Sequence, residues 1–388
     1  MNVLIVAYWH DLRFKKKPGG LIRMFELADN LIGLGHHVTM VLPKLGFPQT
    51  QTRARVVAVP FLDLPFLRPL SFHFLSSICL LFLCLQKVNI MYVRQMNSFL
   101  PLLIAKFYGI SSYFEIPNDP YIGYSLINKC KQWPVKLIDK LCMRLCDRIV
   151  VLSEWSKRRI NTMGDIPLSN ILVFPSGTDT ELFHPMVKEH ACEKLGLDPN
   201  HNYVGFIGSF LAYQGIDNLI DAAPLVIEKI PNARFLLVGD GPMRTNWGKT
   251  VQNKGLQDHF IFTGHVPYRE VPTYIGAMDV CVAPHHQETN QASPVKLFDY
   301  MASGRPIVAS DIEVVREIVA DSGCAILHSP NKLKECAIAI ITVLEDDALR
   351  RDMADRGRNY SVRHYDRKII TATLFNVDNL PPTLRGHC

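Results

Sequence analysis

Apolar runs of strand length alternate with helical stretches along nearly the whole chain, and the alternation comes in two series. The first holds Val3–Ala7, Val38–Leu42, Arg55–Pro60, Ile90–Val93, Tyr113–Ile116 and Ile149–Leu152, with helical stretches such as Leu21–Leu34, Phe99–Tyr108 and Val135–Cys146 between them. The second holds Tyr203–Ile207, Phe235–Val238, Phe260–Thr263, Val280–Ala283, Pro306–Ala309 and Cys324–Leu327. This order of elements predicts an α/β protein with parallel sheets covered by helices on both faces. A chain of 388 residues exceeds one ordinary core, so two doubly wound, Rossmann-like domains facing across a cleft are expected.

Between the series, Gly177 to Asn202 carries Pro185, Pro199 and the charged Lys188–Glu189–His190 without a strong apolar run, and reads as a linker region. The expected division is 1–185, 186–366 and a tail of low order over 367–388, which ends in LPPTLRGHC.

Composition narrows the class. Apolar content of 48% and charged content of 20% describe a folded globular chain. The net charge of +6 suits an anionic ligand or an anionic membrane surface and is too small to argue for nucleic acid. Ten cysteines lie scattered without a C-x-x-C pair, so buried free thiols are expected in preference to a metal site. The start, MNVLIVAYWHD, reads as a first strand and not as a signal peptide. The most lipid-like run, Leu70 to Leu85, contains His73 and at sixteen residues falls short of the roughly 20 needed to cross a bilayer. It reads as a buried or interfacial helix.

Gln291 to Ser310, QASPVKLFDYMASGRPIVAS, carries the most chemistry. Ser293 is placed to cap a helix, Pro294 fits its first position, Val295 follows, and Gly304 stops it. Lys296 then falls in the first turn, where the helix dipole disfavours a cation. Either an external anion such as phosphate docks there, or a surface lysine is tolerated at about half a kcal/mol. Asp299, three residues on, shares the face of Lys296. It either holds ribose hydroxyls or forms an i,i+3 ion pair.

Three strand-to-helix loops bear glycines. They are Pro18–Gly19–Gly20, then Gly208–Ser209–Phe210 with Tyr213–Gln214–Gly215, and Gly239–Asp240–Gly241–Pro242. None matches the dinucleotide or P-loop fingerprints, and each taken singly is more often a plain turn than a site. Together, with the Ser293 helix, the three loops point to one anionic ligand held mainly by the second domain.

In combination these segments resemble the group 1 (family 4) retaining glycosyltransferases of GT-B fold. FIGSFLAYQGIDNLIDA is similar to the family's first donor loop and helix, FLLVGDGPMR to its glycine turn, and SPVKLFDYMASGRPIVAS to its nucleotide-sugar helix. FTGHVPYREVPTYIGAMDVCVAP, PGGLIRMFELADNLIGLGHHVTMVLP, VLSEWSKRRI and FPSGTDTELFHP extend the likeness from Met1 to about Asp366, and Ser-Pro-x-Lys points to a subset with that motif. The family's two glutamates, separated by seven intervening residues, are here Gln291 and Asp299, and its loop Arg and Lys are Ser209 and Gln214.

The resemblance implies a metal-independent hexosyltransferase-type enzyme. It would move a sugar, with retention, from a UDP- or GDP-linked donor to a hydroxyl of a glycan or lipid-linked acceptor in polysaccharide biosynthesis. No cofactor beyond the donor co-substrate and no metal are expected. Lys296 and Asn118 are the catalytic candidates. Gly208, Ser209, Gln214, Gly215, Gly239, Gly241, Gln291, Ser293, Pro294, Val295 and Asp299 are the donor-binding candidates. Gly19, Gly20, Arg94 and Asp119 are placed with the acceptor. Arg13 and Lys15–Lys17 either meet an acceptor phosphate or anionic lipid, or form a solvated basic loop. The expected location is cytoplasmic, with peripheral contact at the inner face of a membrane as an option. Two other readings stay open: a non-catalytic sugar-nucleotide-binding subunit, motivated by the lost charges, and a GT-B sugar-nucleotide epimerase.

Overall fold

A computed structural model describes residues 1–8, 19–44, 52–64, 67–117, 126–164, 166–287 and 293–375. The chain divides into two units: Met1–Ser176 together with the stretch from Ile370 onward, and Gly177–Ile369.

In the first unit the strands are β1 (Asn2–Val6), β2 (His37–Pro43), β3 (Arg55–Val59), β4 (Ile90–Arg94), β5 (Ser111–Ile116), β6 (Arg148–Val151) and β7 (Ile171–Val173). They pair in parallel in the order β3-β2-β1-β4-β5-β6-β7. Its core gathers Leu4, Val6, Met91, Val93, Phe114 and Ile149 from the strands, with Phe72, Leu80 and Leu102 from helices Leu67–Cys84 and Leu100–Phe107.

The second unit contains β8 (Asn202–Ile207), β9 (Ala233–Val238), β10 (Phe260–Gly264), β11 (Val280–Ala283), β12 (Ile307–Ser310) and β13 (Ala325–His328), all parallel, in the order β10-β9-β8-β11-β12-β13. Alternate residues feed opposite faces, as a two-residue strand period requires. Val204, Phe206, Phe235 and Leu237 enter one core, whereas Tyr203, Leu236 and Val238 enter the other. Both faces are therefore covered. Gly205 in the middle of β8 has a packing reason, since a Cβ there would lie 1.9 Å from the Met278 sulfur. The strand order reverses at β8, which lies between β9 and β11, and the crevice at such a reversal, at the strands' carboxyl ends, is where α/β sheets take ligands.

Several expectations require correction. Lys188–Leu195 is a helix, not linker, because Ala191 and Cys192 supply a buried face within its charged sequence. The division falls at 176/177, at the Gly177 turn, nine residues before the expected boundary. Arg367–Thr373 is helical where a tail was expected, since Ile370 and Leu374 are buried at 3% exposure each despite polar neighbours. Gly19 and Gly20 belong to helix Gly19–Gly33 itself and not to a loop before it. The helix around the lipid-like run spans 18 residues, long and apolar enough by length and composition to cross a membrane. Its inner side nevertheless packs into the first unit's core.

Candidate functional site

The second unit assembles a cluster at the carboxyl end of β8. Residue by residue, the chain leaves the strand through Ile207, whose N–H donates to the buried Tyr300 hydroxyl at 2.8 Å. It turns at Gly208, whose N–H reaches the Val238 carbonyl at 3.0 Å and whose φ of +148° favours glycine. Phe210 then anchors the loop in the core, and Ala212–Gln214 makes a 3-10 turn. Gly215, with φ +69°, opens helix Ile216–Lys229, and a Cβ on it would stand 1.8 Å from the Pro284 carbonyl oxygen after β11. This glycine is dictated by the close approach of the two loops.

Lys296 extends into this turn. Its residue is 7% exposed, its ammonium donates to Gln214 Oε1 at 2.5 Å, and it lies 4.0 Å from the centre of the Phe206 ring. A Cβ added at Gly208 would be 3.3 Å from Nζ, so the glycine leaves room for the ammonium. Burial pushes the Lys296 pKa well below that of an ordinary lysine, with no carboxylate among the described residues compensating it. An amide oxygen and a ring face supply only partial negative charge. The cation is thus buried at a cost that an arriving anion would offset.

Helix Lys296–Ala302 begins later than the sequence suggested. The cap position falls on Val295, without a side-chain cap bond, because Pro294 and Val295 already form its first turn through the Leu297 and Phe298 N–H groups. Ser293 is buried before that turn and does not serve as the cap. Asp299 is 8% exposed and accepts the Thr178 hydroxyl at 2.6 Å on Oδ1. Its neighbour Tyr300 faces β8, so one turn of helix supports both the strand end and the lysine.

Gly239 and Gly241 serve the framework. At Gly239 a Cβ would meet the Gly208 carbonyl at 2.0 Å, and at Gly241 the Phe210 backbone at 2.7 Å. Phe210 N–H donates to the Asp240 carbonyl at 2.9 Å, so the two loops brace each other. Ser209 is exposed at the tip. On the outer side His286 bonds Asp217 at 3.2 Å and Asn331 at 3.0 Å, tying the loop after β11 to helix Ile216–Lys229. Gln291, Asn118, Asp119, Arg13 and Lys15–Lys17 lie outside the described residues.

In the first unit, Arg94 is committed to a buried ion cluster. The fully buried Glu115 accepts from Arg23 at 2.7 Å and Arg94 at 3.1 Å on Oε1, and from the Tyr92 hydroxyl on Oε2. Burial alone would raise the Glu115 carboxyl, but the two guanidiniums and the hydroxyl together hold it below the usual range. The sequence reading missed Phe206 and Thr178. An aromatic two residues before a loop glycine looks like any core residue, and Thr178 lies in a segment matched only as a whole.

Comparison with known proteins gives a consistent result. The family described as glycosyl transferases group 1 matches residues 187–360, and the one described as glycosyltransferase family 4 matches residues 19–182. An α-D-kanosaminyltransferase of Streptomyces kanamyceticus is 23% identical over 67% of this chain and 68% of its own. A phosphatidyl-myo-inositol mannosyltransferase of Mycobacterium tuberculosis is 28% identical over 60% of this chain, a match that spans 59% of its own length. Among solved structures, Anabaena HepE in complex with UDP superposes with a TM-score of 0.78 at 17% identity, covering 97% of this chain and 99% of that one. Sucrose-phosphate synthase from Thermosynechococcus elongatus gives 0.77 at 19% identity, covering 97% and 98%.

Proposed function

Because this chain belongs to the group 1 (family 4) glycosyltransferases and has their two-domain GT-B fold, it is a glycosyltransferase using a nucleotide sugar, and we propose that its second unit binds the donor diphosphate against Lys296. The observation that carries this reading is the buried ammonium, held among the described residues by the Gln214 amide oxygen and the Phe206 ring. The family's loop cations are Ser209 and Gln214 here, and Lys296 brings a charge to the same turn from a different helix.

In this reading the bond between the sugar's anomeric carbon and the diphosphate oxygen breaks with its electron pair on oxygen. Lys296 and the Ser209 amide at the loop tip stabilise that developing charge, generally the largest catalytic contribution available. The acceptor hydroxyl attacks from the same face, forming the new glycosidic bond with retained configuration, and its proton passes to the departing phosphate. A fixed protein cation performs the role a divalent ion would take, so turnover is expected to survive EDTA. Asp299, oriented by Thr178, receives the ribose, and a glycan or lipid-linked hydroxyl compound is the acceptor class. UDP- and GDP-linked donors both remain in this class.

The test is incubation of the purified chain with UDP- and GDP-sugars and a lipid extract. Nucleotide release that depends on acceptor supports the reading. Epimerised sugar formed without acceptor, or binding without turnover, would replace it with an epimerase or a binding subunit.

A further inference from the structure

The carboxyl ends of the second unit's strands continue from the Lys296 turn toward β10. A Cβ on Gly239, after β9, would meet the Gly208 carbonyl oxygen at 2.0 Å, and the Gly239 N–H donates to the Gly264 carbonyl at 3.1 Å. The ends of β8, β9 and β10 therefore adjoin in that order, and β10 lies two strand spacings, about 10 Å, from β8. Arg244 stands at the far end of this row. It is the first residue of helix Arg244–Asn253, and a Cβ on Gly264 would lie 3.7 Å from its Nη1.

Arg244 is half-buried, and its side chain is bonded differently from the other arginines of this unit. Arg305, Arg350 and Arg358 each donate to protein carbonyls. Arg244 instead has the Phe262 ring, with its Cζ 5.8 Å from the centroid, and its buried Nη1 meets no acceptor among the described residues. A buried N–H in that state costs free energy that an arriving acceptor would recover. A diphosphate seated against Lys296 is two strands away. The acceptor is then the part of the nucleotide one ribose further along, its base.

The shape of the guanidinium selects among bases. It presents parallel N–H groups, and guanine offers two adjacent acceptors to match them, O6 and N7. Uracil flanks its O4 with a C–H and takes one bond, while adenine and cytosine set an amino donor against the fork.

We propose that Arg244 selects a guanine nucleotide by bonding O6 and N7 of the base. The inference rests on the reading that Lys296 takes the diphosphate, and it narrows the donor to a GDP-sugar. The test is calorimetric titration of the full chain with GDP, UDP and 7-deaza-GDP, in which a C–H replaces N7. The parent chain is expected to bind GDP at least about tenfold tighter than UDP, and about tenfold tighter than 7-deaza-GDP. Arg244→Met should bring GDP and 7-deaza-GDP to one level close to UDP, and weaken UDP only about threefold. Arg244→Lys keeps the charge and loses the fork, so the preference should stay lost. Lys296→Met reports on the diphosphate reading separately: it should weaken GDP and UDP alike and leave their ratio unchanged. Circular dichroism of the variants should match the parent, and the 7-deaza comparison needs no variant. The proposal is overturned if the parent chain binds UDP or 7-deaza-GDP as tightly as GDP. It is equally overturned if Arg244→Met weakens GDP and UDP by the same factor and Arg244→Lys restores both, the mark of a phosphate contact.

Discussion

The Lys296 ammonium stands 4.0 Å from the centre of the Phe206 ring while bonding the Gln214 amide, a buried cation without a buried anion to match it among the described residues. Such a group lowers the stability of the free protein and strengthens binding of an anion, and the two effects can be measured apart. Lys296→Met keeps the packing and removes the charge. Turnover is expected to fall roughly 100-fold or more, while the Tm of the ligand-free chain stays level or rises. A drop in Tm with unchanged turnover would assign the lysine to the framework.

Proton linkage gives a second measurement. The folded chain holds the Lys296 pKa well below its unfolded value, so between the two the unfolded chain binds more protons and stability rises with pH. An arriving diphosphate favours the charged form, so binding should draw in a proton. Titration calorimetry of UDP in buffers of different ionisation enthalpy should report uptake of up to about one proton, and affinity should weaken as pH rises. Lys296→Met should abolish the uptake.

Asp299 and Thr178 share a 2.6 Å hydrogen bond and should act as a pair. Asp299→Ala is expected to weaken nucleotide binding at least about tenfold and Thr178→Val roughly three- to tenfold. If Thr178 works by orienting the carboxylate, adding Thr178→Val to Asp299→Ala costs little more. Equal, independent losses in a calorimetric double-mutant cycle would rule out that coupling.

Glu115 binds two guanidiniums in the first unit's interior, and Glu115→Gln removes the carboxylate charge that both of them bond. Urea unfolding is expected to show a loss of roughly 3–5 kcal/mol. Since the carboxyl titrates lower in the folded chain than in the unfolded one, its contribution is complete above the ordinary carboxylate range. It disappears as pH falls through the folded value, so the parent and variant should converge in acid.

The sheets, except for the three-residue β7, were legible in the sequence because their signal is local. Val204, Phe206, Phe235 and Leu237 are apolar at strand spacing, and each lies within or at the edge of the expected runs. Lys296 was legible too, as a cation where a helix start disfavours one. Its partners were not, since Gln214 lies 82 residues away and Thr178 lies 121 from Asp299, and only the fold brings them into contact. Ser293 had the chemistry of a cap, but Pro294–Val295 took up the turn first. Gly239 and Gly241 were legible as a glycine turn, but the close approach of Gly208 and Phe210 that requires glycine at both was not.

The return of the last helix has a consequence for biosynthesis. Ile370 and Leu374 are buried, and Phe375 packs 5.1 Å from Tyr113 and 6.3 Å from His36, in the unit that starts at Met1. On the ribosome, the earliest-made part of the chain must wait for the whole of Gly177–Ile369 to be translated before these contacts can form. The nascent polypeptide would then hold an unfinished hydrophobic surface for as long as elongation lasts, the kind of surface chaperones engage.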